Sequence, residues 1–249
     1  MKVYVFKNLE ELNKKVASIF IEAIRENPKL TLGLATGSSP EGLYKELVES
    51  YQRKEISFKE ISTFNLDEYL GLSPDHEESY LHYMKENLFD HVDLKEENIH
   101  MPNPFALDPE EECKNYEKAM KALGGIDLQL LGIGSNAHIG FNEPGEKLYN
   151  NTHITPLKEE TRRANARFFN SLDEVPTHAI TMGVGSIMRA KKIVLISFGE
   201  KKAKAIKDTI EGPITTEVPS SLLQLHGDVT ILLDEASAKD LKEKSYELI

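Results

Sequence analysis

Two short runs in the sequence combine side chains that can move protons, and the first is Asn65-Leu66-Asp67-Glu68-Tyr69. Its adjacent carboxylates follow an apolar run, residues 61–65, that is typical of a buried strand. Open α/β sheets bind ligands at the carboxyl ends of their strands, where a carboxylate can act as a general base if its surroundings adjust its pKa. The alternative is that Asp67 caps the next segment while Glu68 faces solvent. This run alone leaves both interpretations open.

The second run is a glycine-rich turn, residues 132–145, that follows another apolar run. It places Asn136, His138, Asn142 and Glu143 within eight positions. Histidine is the side chain best suited to proton transfer near neutral pH, and a neighbouring carboxylate can orient its ring. A lone histidine is more often structural than catalytic. The polar groups packed around His138 favour a catalytic role here.

A third feature could bind an anion. The run Thr36-Gly37-Ser38-Ser39-Pro40 joins an apolar run to a helical pattern, with Pro40 predicted as the first helical residue and Ser39 as its cap. Free amides at a helix start, together with three hydroxyls, can bind a phosphate. An ordinary capped turn would look the same. The run matches neither common nucleotide-binding glycine pattern, so a nucleotide is not expected.

The net charge of the chain is −11, from 30 basic and 41 acidic residues. This balance argues against nucleic-acid binding, and it means that an anionic substrate would need a local group of amides and cations. Candidate cations are Arg162, Arg163, Arg167, Lys201, Lys202 and Lys204. Most exposed Lys and Arg residues only keep a protein soluble, so each of these stays a candidate.

These motifs lie between alternating strand and helix patterns. The predicted strands are residues 3–6, 30–35, 61–65, 126–133, 179–183, 193–197 and 229–233, and the predicted helices are 8–25, 40–52, 79–89, 109–123 and 201–210. Continuous apolar strands separated by helices predict an α/β fold with a mostly parallel sheet covered on both faces. We expect one domain over residues 1–249, with an irregular lid within about 145–175.

Other sequence features narrow the chemistry and the compartment. The single cysteine, Cys113, and the lack of a signal-peptide pattern or a long apolar run predict a cytoplasmic protein with no membrane association. Zinc-ligand spacings and a Gly-x-Ser-x-Gly elbow are missing from the sequence. We therefore expect proton transfer by side chains alone, with no metal and no cofactor.

Taken together, these residues resemble the glucosamine-6-phosphate deaminase family. The stretches that carry the resemblance, in the family's order and spacing, are residues 34–44, 63–71, 131–144, 161–169, 178–185 and 199–212. The resemblance implies a three-layer, modified Rossmann-like fold. It also implies conversion of glucosamine 6-phosphate to fructose 6-phosphate and ammonia.

The resemblance further assigns roles to residues of this sequence. Asp67 resembles the base that moves the C2 proton, and His138 the group that opens the sugar ring, assisted by Asn136 and Glu143. The substrate phosphate would lie on Thr36-Gly37-Ser38-Ser39. Arg167 and Lys202 would close around it.

Two departures from the family pattern bear on function. Some members carry aspartate at the position of Asn136, and an amide can orient His138 but cannot accept a proton. The allosteric members place a serine and basic residues where this chain has Glu146, His153 and Thr155. Activation by N-acetylglucosamine 6-phosphate is therefore not expected.

Two other functions compete with deamination. A 6-phosphogluconolactonase resembles this fold and binds a sugar phosphate, but lactone hydrolysis does not require the Asp67 motif. A sugar-phosphate-sensing module of a transcription regulator would come with a DNA-binding domain, for which the sequence has no residues left. The sequence leaves the oligomeric state open between a monomer and a small homo-oligomer.

Overall fold

The computed structural model describes residues 1–159, 162, 163, 166, 169 and 171–249. The strands are β1 Lys2–Phe6, β2 Thr31–Leu34, β3 Ser62–Asn65, β4 Asp67–Tyr69, β5 Ile99–His100, β6 Leu128–Leu131, β7 His153–Pro156, β8 His178–Thr181, β9 Lys192–Ser197, β10 Val229–Asp234 and β11 Glu247–Leu248. The α-helices are α1 Leu9–Glu26, α2 Glu41–Gln52, α3 Tyr80–Asn87, α4 Pro109–Ala122, α5 Val184–Met188, α6 Ala203–Glu211 and α7 Glu235–Ala238. Short 3-10 helices are Phe89–His91, Glu96–Asn98, Leu172–Glu174, Glu200–Lys202, Pro219–Leu225 and Glu243–Ser245.

Eight strands form one parallel sheet in the order β11-β1-β10-β9-β6-β2-β3-β5. Every residue of β2 and of β6 is buried, so these central strands are covered on both faces. This confirms the predicted α/β, Rossmann-like fold with a mostly parallel sheet between two covering layers.

The sheet order explains how distant motifs can meet. The four motif-bearing segments follow β2, β3, β6 and β9, and these four strands are neighbours in the order β9-β6-β2-β3. Because the strands are parallel, their carboxyl ends lie along one edge of the sheet. The chain adds β3 on one side of β2 and later places β6 on the other, which makes this edge a topological switch point.

A second sheet of three antiparallel strands has the order β4-β8-β7. The predicted strand 179–183 lies in this sheet as β8, so the expectation that it belongs to the parallel sheet is wrong. Strand β7 lies inside the stretch predicted as an irregular lid, and it pairs with β8 from His153 opposite Thr181 to Pro156 opposite His178. That part of the predicted lid is therefore regular structure.

Helix starts follow capping chemistry at most sites. Asn8 accepts a hydrogen bond from the Glu11 amide at 2.9 Å, as its predicted capping position requires. The prediction for α2 is wrong by one residue, since Pro40 takes the capping position and α2 begins at Glu41 without a side-chain cap. Ser39 thus lies before the cap and keeps its hydroxyl for other partners.

Helix α1 shows how an amphipathic pattern places a helix on the sheet. Its residues Leu12, Val16 and Phe20 recur at helical spacing and are fully buried. Burying each large apolar side chain stabilises the fold by roughly 1.5–3 kcal/mol. Within the described ranges, no helix is long and apolar enough to cross a membrane.

Candidate active site

Asp67 is the first residue of β4 and lies two residues after the end of β3. It is 7% exposed and pairs across the second sheet with Thr181, which is fully buried. Burial, and secondarily the charge of Glu68, raises the pKa of the Asp67 carboxyl to about 8. A buried carboxylate with a pKa near neutrality at a strand end is suited to general-base catalysis.

The backbone that follows His138 lies directly against this carboxylate. Gly140 adopts a left-handed conformation with φ of 56°, and a Cβ atom there would lie 3.0 Å from Thr181 Oγ1 and 3.4 Å from Asp67 Oδ2. The amide of the next residue, Phe141, donates to Thr181 Oγ1 at 3.1 Å. The two proton-moving runs of the sequence therefore meet at Gly140.

Glu143 bridges the polar groups of the glycine-rich turn at residues 132–145, which we call the histidine loop. Asn136 Nδ2 donates to Glu143 Oε2 at 2.6 Å, and Asn136 Oδ1 accepts the His138 amide at 3.3 Å. The other oxygen, Glu143 Oε1, is 3.3 Å from His138 Nδ1, which is within ion-pair distance. That approach is not aligned as a hydrogen bond, so the carboxylate acts on the ring through its charge.

The position of the His138 ring depends on the glycine four residues before it. A Cβ atom on Gly134 would lie 2.4–2.6 Å from three atoms of the ring, so only glycine leaves room for it. The turn is closed by a hydrogen bond from the Gly134 amide to the His138 carbonyl at 2.9 Å. Ala137 lies between them with φ of 69°, which is strained for a residue with a side chain.

The candidate phosphate loop, Thr36-Gly37-Ser38-Ser39, connects β2 to α2 and is partly exposed. Gly37 is left-handed, with φ of 98°. A Cβ atom on Gly132 would lie 3.9 Å from the Ser39 side chain, so this loop contacts the start of the histidine loop. The loop after β2 and the loop after β6 therefore form one surface.

Lys202 adds a cation to that surface from the segment after β9. Its Nζ atom donates to the Ile133 carbonyl at 2.7 Å, and burial lowers the pKa of its ammonium group. A half-buried ammonium beside free backbone amides can offset the negative field of the chain. The structure thus bonds Lys202 to Ile133, whose neighbour Gly132 lies beside Ser39 of the candidate phosphate loop.

Of the three candidate arginines, two bind structural partners and the third is not among the described residues. Arg162 donates to the carbonyls of Leu172 and Val175 at 2.8 and 3.0 Å, and Arg163 pairs with Glu159. These contacts give both residues structural partners. Arg167, the arginine that the family resemblance selects, lies outside the described residues.

Three residues that sequence analysis did not assign also belong to this region: Glu68, Tyr83 and Thr181. Glu68 is buried beneath α3 and does not face solvent, and Tyr83 donates its hydroxyl to the Gly37 carbonyl at 2.7 Å. The alternation of side chains along an extended segment could have separated Glu68 from Asp67, because neighbours on a strand face opposite sides. The contacts of Tyr83 and Thr181 cross between elements and leave no signal in the sequence.

These groups lie at the edge where open α/β sheets bind ligands, and they can exchange protons beside an anion-binding loop. In the part of the chain that the structure describes, no group of three or more His, Cys, Asp or Glu residues is arranged to hold a metal ion. The arrangement is typical of α/β enzymes that act on small anionic substrates by acid–base chemistry. A family model described as glucosamine-6-phosphate isomerases/6-phosphogluconolactonase matches residues 7–232, and the chain belongs to this family.

Curated relatives match along nearly the whole chain. A protein named glucosamine-6-phosphate deaminase from Thermoanaerobacter sp. (strain X514) is 56% identical, covering 98% of each chain. A protein of the same name from Clostridium perfringens (strain 13) is 52% identical, covering 97% of this chain and 100% of the relative.

Solved structures give the same result at two levels of similarity. A glucosamine-6-phosphate deaminase described as monomeric superposes with a TM-score of 0.93 at 47% identity, covering 96% of this chain and all of that one. The 6-phosphogluconolactonase from Trypanosoma cruzi has a TM-score of 0.76 at 22% identity, covering 97% of each chain. The second similarity is one of fold alone.

Proposed function

We propose that this chain converts glucosamine 6-phosphate and water to fructose 6-phosphate and ammonia, with Asp67 and His138 as its proton-transfer groups. Whole-length relatives at 52–56% identity carry the name of this activity. The observation that supports the residue roles most directly is the position of Asp67. It is a buried carboxylate with a raised pKa, in contact with the backbone of the loop that holds His138.

The reaction begins with opening of the cyclic hemiacetal. A proton leaves the anomeric hydroxyl, another reaches the ring oxygen, and the C1–O5 bond breaks to give the C1 aldehyde. His138 can exchange protons with both oxygens because imidazole is both acid and base near neutral pH. Glu143 stabilises the imidazolium that forms, and Asn136 holds Glu143 in place.

In the second stage Asp67 removes the C2 proton, which the C1 carbonyl acidifies. The resulting enolamine is reprotonated at C1, and this leaves an imine at C2. Water adds to the imine and ammonia leaves, so that C2 becomes the ketone of fructose 6-phosphate. Only the ionised Asp67 can accept the proton, so its pKa controls this step.

The substrate phosphate is proposed to lie on Thr36-Gly37-Ser38-Ser39 beside Lys202, with Arg167 closing from the segment 145–175. Lys202→Ala should raise KM for glucosamine 6-phosphate by about 10- to 150-fold with a smaller change in kcat. A lost hydrogen bond between charged groups costs roughly 1.5–3 kcal/mol. Free glucosamine should be a very poor substrate. The measurement is steady-state ammonia release with both sugars.

The matched control is Lys204→Ala, two residues further along. Lys204 is 82% exposed and pairs with Asp208, so its loss should leave KM unchanged. Comparable turnover of free glucosamine, or equal effects of the two lysine variants, would place the phosphate elsewhere.

The main alternative is lactone hydrolysis, since the matched family model includes 6-phosphogluconolactonase. Hydrolysis of a lactone needs attack by water on an ester carbonyl and no removal of a C2 proton. That reaction gives no reason for Asp67 to be a buried base with a raised pKa, paired with Thr181 across the second sheet. Ammonia release from glucosamine 6-phosphate in the presence of a metal chelator, with no hydrolysis of 6-phosphogluconolactone, decides between them.

The segment after the histidine loop contains a cavity of about 330 Å³, lined in part by Glu146, Lys147, His153 and Thr155. It lies where the allosteric members of the family are expected to bind their activator. The negative charge of Glu146 would repel a phosphate. Burial lowers the pKa of His153 below its usual value, so this side chain is mostly neutral at pH 7 and adds little positive charge. Among the described residues of this lining the cation is Lys147, whose Nζ atom lies 5.7 Å from the centre of the Tyr149 ring. The Lys158 ammonium is bonded to the carbonyl of Pro144, another lining residue, at 2.9 Å.

We expect hyperbolic kinetics in glucosamine 6-phosphate, with kcat and KM nearly unchanged by millimolar N-acetylglucosamine 6-phosphate. An effector activates only if it binds the active state more tightly, and Lys147, opposed by the charge of Glu146, gives little affinity for a phosphate. The solved relative described as monomeric is consistent with this, because cooperativity requires interacting sites. Sigmoidal kinetics that become hyperbolic on adding the effector would contradict this prediction.

We also propose a cytoplasmic location. Cys113 is the single cysteine of the chain, and it is buried and unpaired. A free buried thiol is consistent with a reducing compartment.

A further inference from the structure

Glu68 has a distinct set of partners from its neighbour Asp67. It is 2% exposed, and its Oε1 atom accepts the amides of Tyr69 at 2.9 Å and Tyr80 at 3.0 Å. Its Oε2 atom accepts the amide of Leu81 at 3.0 Å. Tyr80 and Leu81 are the first two residues of α3, whose amides have no partner within the helix. Glu68 therefore fixes the start of α3 to the strand that carries Asp67.

Helix α3 in turn reaches the phosphate loop. Tyr83, one turn into the helix, donates its hydroxyl to the Gly37 carbonyl at 2.7 Å. Its ring packs edge-on against Tyr44 of α2, with centroids 6.4 Å apart, and the Tyr44 hydroxyl donates to the Ala35 carbonyl at 2.6 Å. Burial raises the pKa of both hydroxyls, so both remain donors. Tyr83 thus holds the Gly37 carbonyl of the phosphate loop from α3, and Tyr44 of α2 holds the Ala35 carbonyl just before the loop.

We propose that Glu68 is a positioning residue that joins the proton-abstracting strand to the phosphate loop through α3 and Tyr83. The proposal rests on the function proposed above, since it assigns no chemistry of its own to Glu68. A substrate held by its phosphate at one end must present its C2 proton to Asp67 at the other. A rigid connection between the two holding points keeps that distance constant, which is the geometric requirement for fast proton transfer.

Glu68 also acts on Asp67 through its charge. Burial raises the pKa of the Glu68 carboxyl, and its three amide donors oppose that shift by favouring the ionised form. Among the described residues, the other titratable groups that interact with Asp67 are Tyr69 of the same strand, Tyr80 of α3 and Tyr116 of α4. Burial raises the pKa of all three phenols, so they stay neutral where the carboxyls titrate. In the described part of the chain, Glu68 is then the charged neighbour that adds to the effect of burial in raising the pKa of Asp67.

Two variants separate the two effects. Glu68→Gln keeps one acceptor oxygen but removes the charge and the second acceptor, so KM for glucosamine 6-phosphate should rise. The acid limb of kcat/KM should also move down by roughly one pH unit. Tyr83→Phe removes only the bond to Gly37, so KM should rise about two- to tenfold while the acid limb stays in place. The substrate amine titrates identically in every assay, so any difference between variants belongs to the enzyme.

Two matched controls test for general destabilisation. Glu117→Gln alters another half-buried carboxylate, which accepts the Thr152 amide and hydroxyl at 2.7 Å. Its charge does not contribute to the raised pKa of Asp67, so this variant should leave the acid limb unchanged. Tyr51→Phe alters a half-buried tyrosine at the opposite end of α2 from the phosphate loop, and it should leave KM unchanged.

The proposal is overturned if folded Glu68→Gln shows the wild-type acid limb and KM. It is equally overturned if Tyr83→Phe leaves KM unchanged, which can be measured even if Glu68→Gln does not fold. Failure of the proposed function gives a different result, because wild-type protein would then release no ammonia from glucosamine 6-phosphate.

Discussion

Asp67→Asn should give a folded protein whose kcat is lower by on the order of 10²–10⁴, the usual cost of losing a general base. Asparagine has nearly the same volume as aspartate, so the pairing with Thr181 and the contact with Gly140 should persist. The phosphate loop is on another strand, so the variant should still bind fructose 6-phosphate. Ammonia release gives the rate, and exchange of the C2 hydrogen in D2O tests the step directly.

A matched control for this variant is Asp127→Asn. Asp127 is also partly buried, and it accepts the Thr31 amide at 2.7 Å and forms an ion pair with Lys191 at 2.6 Å. It directly precedes β6, so it lies at the opposite end of the sheet from the candidate site. Its loss should affect stability and spare kcat. Wild-type kcat in folded Asp67→Asn would remove Asp67 from the mechanism.

Because the pKa of Asp67 is raised, the activity of the wild-type enzyme should depend on pH. With a pKa of about 8 in the free enzyme, the carboxylate is the minor form at pH 7. Because only that form accepts the C2 proton, kcat/KM should fall about tenfold for each pH unit below 8.

The free energy of unfolding should change with pH in the opposite direction, falling as the pH rises. A carboxyl whose pKa is higher in the folded than in the unfolded chain stabilises the fold fully below its unfolded pKa. That contribution is lost as pH rises through the folded value of about 8. Asp67→Asn removes this loss, so its melting temperature should match that of wild type near pH 4 and exceed it increasingly up to pH 8. The gap corresponds to on the order of a few kcal/mol. Equal melting temperatures of wild type and Asp67→Asn at pH 8 would contradict a raised pKa of Asp67 in the folded protein.

The strands of the main sheet could be predicted because burial on both faces leaves continuous apolar runs such as Leu128–Leu131. Strand β4 could not. Its residues, Asp67–Tyr69, form a strand because β8 offers hydrogen-bond partners, and β8 lies more than a hundred residues away. Strand β7 depends on β8 in the same way. Short strands with no apolar pattern are defined by their partners, which the local sequence does not contain.

The candidate site shows the same division. Asp67, Asn136, His138 and Glu143 could be proposed from residue type and spacing, and the structure brings them to one edge of the sheet. The alternative interpretation of the acidic pair, with Asp67 as a cap and Glu68 in solvent, is wrong for Glu68. Glu68 is the residue that binds the next helix start. Which member of a neighbouring pair faces which side depends on the path of the chain, and composition carries no information about it.

The other large effect should come from His138→Ala, with kcat lower by on the order of 10²–10⁴ because ring opening loses its acid and base. The His138 side chain is 25% exposed, so its removal leaves a cavity open to solvent beside Glu143. Added imidazole should enter that cavity and restore activity in a saturable way. Ring opening should then limit the rate, so the kinetic isotope effect of C2-deuterated substrate should fall towards one. Imidazole should not restore Asp67→Asn, because that variant keeps the His138 ring in place.

Gly134→Ala distinguishes loss of the imidazole from loss of its position. The added methyl group would occupy the place of the His138 ring, 2.4–2.6 Å from three of its atoms, so the ring must turn away from Glu143. This variant keeps its histidine but should lose kcat as His138→Ala does. Imidazole should not restore it, because no cavity is left for imidazole to enter. Full activity in Gly134→Ala would show that the ring works from another position, and full activity in folded His138→Ala would show that ring opening does not use it. The two variants therefore separate the chemistry of the side chain from the geometry that the glycine turn imposes on it.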